Sequence, residues 1–194
     1  MKRAASNPSC SLYETNKAVY SLLYYGVEIN REVGQSHTTL PLIDWDHPEN
    51  NEFAVAEEVS VRRADGKTTR RPDVVLYVNG IALAVLELKR GSVTVNEAIR
   101  QNQTNQHEGE IPHFFSTVQL VMAANETEGL RYATTQTPPK YYLTWKRDQE
   151  DTPVNHLLEH LRELCSQKRL LEFIHDFVVY DAGIKKVARP HQYR

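Results

Sequence analysis

The 194-residue chain is long enough for one well-packed domain with at most a small appendage, and with 40% hydrophobic and 25% charged residues it has the composition of an ordered globular protein. A formal net charge of −2 excludes a generally basic nucleic-acid binder, so any affinity for phosphates must come from a local patch. Its two cysteines, Cys10 and Cys165, have neither CxxC nor Cys/His spacing, which argues against a zinc site or a disulfide framework and for a reducing, cytoplasmic setting.

The first ten residues are polar. Met1-Lys2-Arg3 runs into Asn7, Pro8 and Ser9 without the apolar core of a signal peptide, and no apolar run approaches the roughly 20 residues of a membrane span. From 12 to 25, Leu12, Val19, Leu22 and Leu23 recur at helical spacing with Tyr13, Tyr20 and Tyr24 between them, and Gly26 stops the helix. Residues 27–33 alternate as a strand does. Residues 40–52, punctuated by Pro41, Pro48 and asparagines, read as a connection anchored by Ile43 and Trp45. A strand is predicted over 53–61, followed by a turn at Ala64-Asp65-Gly66-Lys67.

Residues 70–89 are the most informative. Two apolar runs, 74–78 and 81–89, flank Asn79-Gly80 and predict a hairpin that is covered on both faces. A helix is predicted over 95–106, with Thr94 as N-cap and Glu97 completing a capping box. A strand follows over 114–123, then a strand, a Pro138-Pro139 turn and a strand across 132–145, helices over 155–165 and 168–177, and a strand at 178–180 leading into a basic tail. Strands interleaved with helices give an α/β (α+β) class with a central mixed β-sheet flanked by helices.

Glu87 and Lys89 are two apart on one strand, so they share a face, and Asp73 enters the partner strand. Two carboxylates and an ammonium are costly in a sheet of Val, Leu and Ala unless something compensates them. A hard divalent cation such as Mg²⁺ between Asp73 and Glu87 would do so; a structural ion pair at a solvated strand end is the other reading, and spacing leaves both open. Turn geometry sets a condition. A strict two-residue Asn79-Gly80 loop pairs Val78 with Ile81 and puts Asp73 opposite Leu86, with Glu87 on the other face. A shared face requires a three-residue turn over Val78-Asn79 closed by Gly80, a bulge, or a Pro72 break that leaves Asp73 outside the ladder.

Arg62, Arg63, Lys67, Arg70 and Arg71 cluster just ahead of Asp73, either as phosphate contacts or as a solvated loop. His156 and His160 are spaced i, i+4 beside Glu159 without a third ligand, and read as surface residues.

Pro72-Asp73 followed by Glu87-Leu88-Lys89 across a hairpin resembles the PD-(D/E)xK nuclease signature. The surrounding segments resemble, in order along most of the chain, the N-terminal nuclease domain of the restriction (R) subunit of type I restriction–modification enzymes. They include Leu42-Ile43-Asp44-Trp45, Pro48-Glu49-Asn50-Asn51-Glu52-Phe53, Arg71-Pro72-Asp73, Gln101-Asn102-Gln103-Thr104-Asn105, Ile111-Pro112-His113-Phe114-Phe115 and Phe173-Ile174-His175-Asp176-Phe177. The resemblance implies a restriction-endonuclease-like fold for a Mg²⁺-dependent endonuclease serving bacterial defence, with Asp73, Glu87 and the Leu88 carbonyl on the metal and Lys89 catalytic. Gln101 matches the glutamine of the family's QxxxY helix, which by the resemblance lies beside the site and supports cleavage. Asn105 departs from it, because it can hydrogen-bond but neither stacks nor reaches as far as tyrosine. Glu14 sits where related nucleases sometimes carry a further acid; an exposed helix carboxylate is the simpler reading.

By the same resemblance, residues 1–180 form the nuclease domain and 181–194 begin a connection to an ATP-driven motor, since no GxxxxGK[ST] loop occurs in the sequence. Double-stranded DNA and the specificity and methyltransferase subunits are the implied partners. The alternatives are a catalytically silent DNA-binding or assembly domain of the same fold, and another PD-(D/E)xK enzyme such as a junction resolvase or repair nuclease.

Overall fold

The computed structural model describes residues 10–29, 38–145 and 157–192. Helix α1, Leu12–Tyr25, has the predicted limits. Ser11 caps it, its hydroxyl accepting from the Glu14 amide while the Glu14 carboxylate accepts from the Ser11 amide at 3.0 Å. Gly26 ends it at φ 84°, where a side chain would strike the Leu40 carbonyl at 2.7 Å. Leu22, predicted to face the core, is exposed, and the fully enclosed positions are Asn16 and Leu23.

Strands β1 (Val27–Ile29) and β2 (Thr38–Leu40) form a small antiparallel pair; the rest of the strand predicted over 27–33 lies outside the described residues. The connection that follows is anchored as expected. Ile43 is buried, and Trp45 Nε1 donates to the Leu23 carbonyl at 3.1 Å. The strand predicted over 53–61 is broken: β3 is Phe53–Glu57, Glu58 turns the chain with φ 49°, and β4 (Val61–Arg62) pairs instead with β5 (Thr69–Arg70). Between them the Asp65 carboxylate accepts from the Lys67 and Thr68 amides and fixes the predicted turn.

β6 (Val74–Val78) and β7 (Ile81–Lys89) make the predicted hairpin, and α2 (Val95–Asn105) crosses to β8 (Leu120–Asn125), which lies parallel to β7. The Thr94 hydroxyl accepts from the Asn96 amide, but the expected capping box does not close, because Glu97 pairs with Arg100 at 3.0 Å. Residues 114–116 are a 3₁₀ turn rather than strand, their amides bonded back to the carbonyls of residues 111–113. β9 (Gly129–Ala133) and β10 (Leu143–Thr144) complete a mixed six-stranded sheet in the order β10-β9-β8-β7-β6-β3.

Helices α3 (Leu157–Leu164) and α4 (Gln167–Phe177) follow, then the hairpin β11 (Val178–Asp181) and β12 (Ile184–Val187). His160 is buried on α3, not at the surface as expected, because the helix packs that face on the sheet; His156 lies outside the described residues.

Alternation along β7 and β8 divides the core. Ala84, Leu86, Leu120 and Met122 face α3, α4 and α1, while Val85, Val121 and Ala123 face α2 and the 111–118 segment. The sheet is thus covered on both faces, as its apolar run predicts. Glu87 falls on the α2 face. On the same side, Asn16 Nδ2 donates to the carbonyls of Phe115, Ser116 and Val118, each at 2.9 Å. The ammonium of buried Lys185 donates to Asn16 Oδ1 at 2.8 Å and Gln119 Oε1 at 2.7 Å, tying β12 to α1 and the start of β8.

Candidate active site

The register between β6 and β7 decides which side chains meet. The Asn79-Gly80 loop has two residues, with φ 49° and 75°, as a type I′ turn requires, and Val78 pairs with Ile81. Of the ways to a shared face that the sequence leaves open, the three-residue turn does not form. Asn79 is held instead by its own side chain, which accepts from the Glu52 amide and donates to the Leu42 carbonyl and Asn51 Oδ1.

A bulge corrects the register one step further on. Tyr77 pairs with Ala82, but Leu76 pairs with Ala84, so Leu83 is extra. Leu83 and Ala84 both join the α3–α4 core, and the Leu83 carbonyl accepts from the Gln119 amide at 2.7 Å. From there Val75 opposes Val85 and Val74 opposes Leu86, and continuing that count sets Asp73, one residue before the ladder, against Glu87. The Asp73 carboxylate accepts from the Leu88 amide at 2.7 Å, and its carbonyl accepts from the Glu58 amide at 2.9 Å.

Glu87 and Lys89 both reach toward α2. Lys89 Nζ donates to Gln101 Oε1 at 2.6 Å, and Glu87 Oε1 accepts from Asn105 Nδ2 at 3.2 Å. Gln101 and Asn105, one helical turn apart, therefore address the two ends of the Glu87-Leu88-Lys89 segment. Glu87 is fully buried, and its Oε2 meets no hydrogen-bond donor among the described residues. Burial first, and then the Asp73 carboxylate, push Glu87 up to about 9, while the Lys89 ammonium and the Asp73 backbone amide pull the other way. Two facing carboxylates, one of them fully buried, are an environment that a divalent cation would relieve, so Asp73 and Glu87 could hold a hard ion such as Mg²⁺. Among the described residues no group of three or more His, Cys, Asp or Glu side chains has a metal-binding arrangement; the acidic contribution here is a pair.

The predicted basic cluster is divided. Arg63 and Arg70 converge on Glu110, with N–O distances of 2.8 and 2.6 Å, and Arg71 pairs with Glu58 at 3.4 Å. The Arg70 guanidinium holds Glu110 below the usual carboxylate range. Arg62 and Lys67 are exposed. Glu14 is engaged as the partner of Ser11 in the α1 cap, which lowers its pKa.

The sequence alone left Asn105 without a contact. Asn105 stands four residues after Gln101, and that helical spacing was the available signal.

The family model described as the type I restriction enzyme R protein N terminus matches residues 1–140. The chain is 29% identical over 210 residues to the type I restriction enzyme HindI endonuclease subunit of Haemophilus influenzae, with 100% of this chain and 19% of that protein covered. It is 25% identical over 162 residues to the type I restriction enzyme SsaAORF53P endonuclease subunit of Staphylococcus saprophyticus, with 81% of this chain and 17% of that protein covered. The chain thus spans less than a fifth of the length of these curated relatives. No described helix is long and apolar enough to cross a membrane.

Proposed function

The chain belongs to the family of type I restriction enzyme R protein N termini, and from that premise we propose that it is a Mg²⁺-dependent endonuclease domain of the PD-(D/E)xK superfamily that hydrolyses phosphodiester bonds of double-stranded DNA. The observation that carries this reading is the bulge at Leu83, which brings Glu87 opposite Asp73 with Lys89 on the same face of the strand.

In this reading Asp73, Glu87 and the Leu88 carbonyl hold the cation. Mg²⁺ bound there would polarise the scissile phosphate and lower the pKa of the attacking water, so that it loses its proton more readily. The Leu88 amide keeps the Asp73 carboxylate aimed at the site. Lys89, its ammonium steered by Gln101, stabilises negative charge developing on the phosphate. Arg62 and Lys67, with Arg63, Arg70 and Arg71, are proposed to contact the DNA backbone.

ATP hydrolysis and translocation are assigned to a motor region, and sequence recognition to specificity and methyltransferase subunits, all outside this sequence; the proposed setting is the cytoplasm. The sequence resemblance puts the end of the nuclease domain at residue 180; because Lys185 in the β11–β12 hairpin is buried, the domain is proposed to include that hairpin, and the connection toward a motor would leave after Val187.

Nicking of supercoiled plasmid by the 194-residue chain with Mg²⁺ or Mn²⁺, lost in Asp73→Ala, is the expected result; cleavage that survives the substitution rejects the mechanism. The alternative of a catalytically silent DNA-binding or assembly domain draws on one observation, the engagement of Arg63 and Arg70 by Glu110. Wild-type protein that binds duplex DNA and Mn²⁺ without nicking would favour it.

A further inference from the structure

The two oxygens of Glu87 are treated differently by the fold. Oε1 accepts from Asn105 Nδ2, whereas Oε2 meets no donor among the described residues, and the neighbouring ammonium of Lys89 donates to Gln101. An ionised carboxylate taken out of water needs donors or a cation around it. Three further buried atoms in the layer between α2 and the sheet, Asn102 Oδ1, Asn105 Oδ1 and the Tyr142 hydroxyl, also make no hydrogen bond among the described residues. Of these residues Asn105 is bonded to Glu87, through its amide nitrogen. Unpaired polar atoms are expensive in a packed interior, and an amide that spends its donor on a buried acid while its own oxygen stays unpaired marks a place where polar groups are kept for a purpose other than stability.

We propose that Asn105 is the positioning residue of Glu87: its amide fixes Oε1 so that Oε2 is presented toward Asp73 and a divalent cation. This rests on the reading of Glu87 as a metal ligand. Asn105 does not touch the substrate; it acts through Glu87, from the helix that carries Gln101.

The test is Mn²⁺ binding, followed by calorimetry and by the electron paramagnetic resonance spectrum of the bound ion, on the 194-residue chain as wild type, Asp73→Ala, Asn105→Ala and Asn105→Leu, with a thermal melt of each. Wild type is expected to bind and Asp73→Ala to lose binding. Asn105→Ala and Asn105→Leu should weaken it by about tenfold or more, with an altered spectrum and a cooperative melt. Asn105→Leu keeps the volume of the side chain without its donor, so it decides the matter if Asn105→Ala does not fold. Affinity within about twofold of wild type in both variants, with binding still lost in Asp73→Ala, overturns the positioning role and leaves the metal reading standing. Wild type that does not bind, or an Asp73→Ala variant that binds like wild type, overturns the metal reading and this inference with it.

Discussion

The two hairpins that follow one another between Val61 and Lys89 both carry concentrated charge, and the fold handles them in opposite ways. In β4–β5 the guanidinium groups of Arg63 and Arg70 converge on one carboxylate, Glu110, in a part-exposed setting where compensation is easy. At the end of β6–β7, Asp73 and Glu87 face each other, Glu87 is fully buried, and the nearby ammonium is bonded to a neutral amide. Charge clustering is alike in the two sequences; what separates them is compensation. A satisfied surface cluster can be purely structural, whereas a buried carboxylate facing a second acid is costly to ionise until a cation binds.

The largest expected effect tests that contrast directly. Asp73→Ala should reduce plasmid nicking to background, and Lys89→Ala should reduce it by about 10²–10³-fold, as loss of one group that stabilises transition-state charge does. Equal activity in both variants and wild type would put the β6–β7 end in the same class as the β4–β5 cluster.

Buried polar groups that are satisfied should behave the other way from Glu87. Asn16→Ala strips donors from three carbonyls and an acceptor from Lys185, and should cost about 3 kcal/mol, seen as a fall of about 6–12 °C in the melting temperature. Glu87→Gln should instead stabilise the cation-free chain at pH 8. The sign follows from the raised pKa. Between the unfolded value near 4.5 and the folded value of about 9, the folded state binds the extra proton, so stability is highest at the acid end and declines as pH rises through that window. The glutamine removes that decline, giving a gain of a few degrees at pH 8 and none near pH 4; a wild-type melt independent of pH from 5 to 9 would contradict the assignment.

Glu110→Gln sharpens the other half of the comparison. Freeing Arg63 and Arg70 should steepen the salt dependence of duplex binding by about 1–2 in log–log slope if the cluster can meet phosphates, and leave it unchanged if its role is structural. The smallest effect is expected from Glu14→Gln. Its carboxylate closes the α1 cap, so nicking should be unchanged, and a loss of cleavage would reinstate it as a site acid.

Much of this was legible beforehand because it is local. The limits of α1 follow from helical spacing and a terminal glycine, and the shared face of Glu87 and Lys89 follows from the twofold period of a strand. That Gln101 belongs to a helix beside the site came from family resemblance, and the helix around it from periodicity; its bond to Lys89 followed from neither. Other features had no local signal. The strand over 53–61 breaks at Glu58 and residues 114–116 coil into a 3₁₀ turn although both segments read as extended. His160 looks like a surface residue until α3 is laid on the sheet.

The sequence by itself determined the hairpin, the faces of its apolar strands and the condition under which Asp73 could meet Glu87, since these depend only on residue period and turn chemistry. Tertiary structure alone decided how that condition is met. The two-residue Asn79-Gly80 turn sets the wrong register for a shared face, and the extra residue Leu83 corrects it, packed in the α3–α4 core with its carbonyl on the Gln119 amide. A bulge forms where core packing and a hydrogen bond from a distant strand make one extra residue cheaper than a longer turn, and that balance lies outside any local pattern. The same holds for Asn105, whose bond to Glu87 exists only once α2 packs over the end of β7.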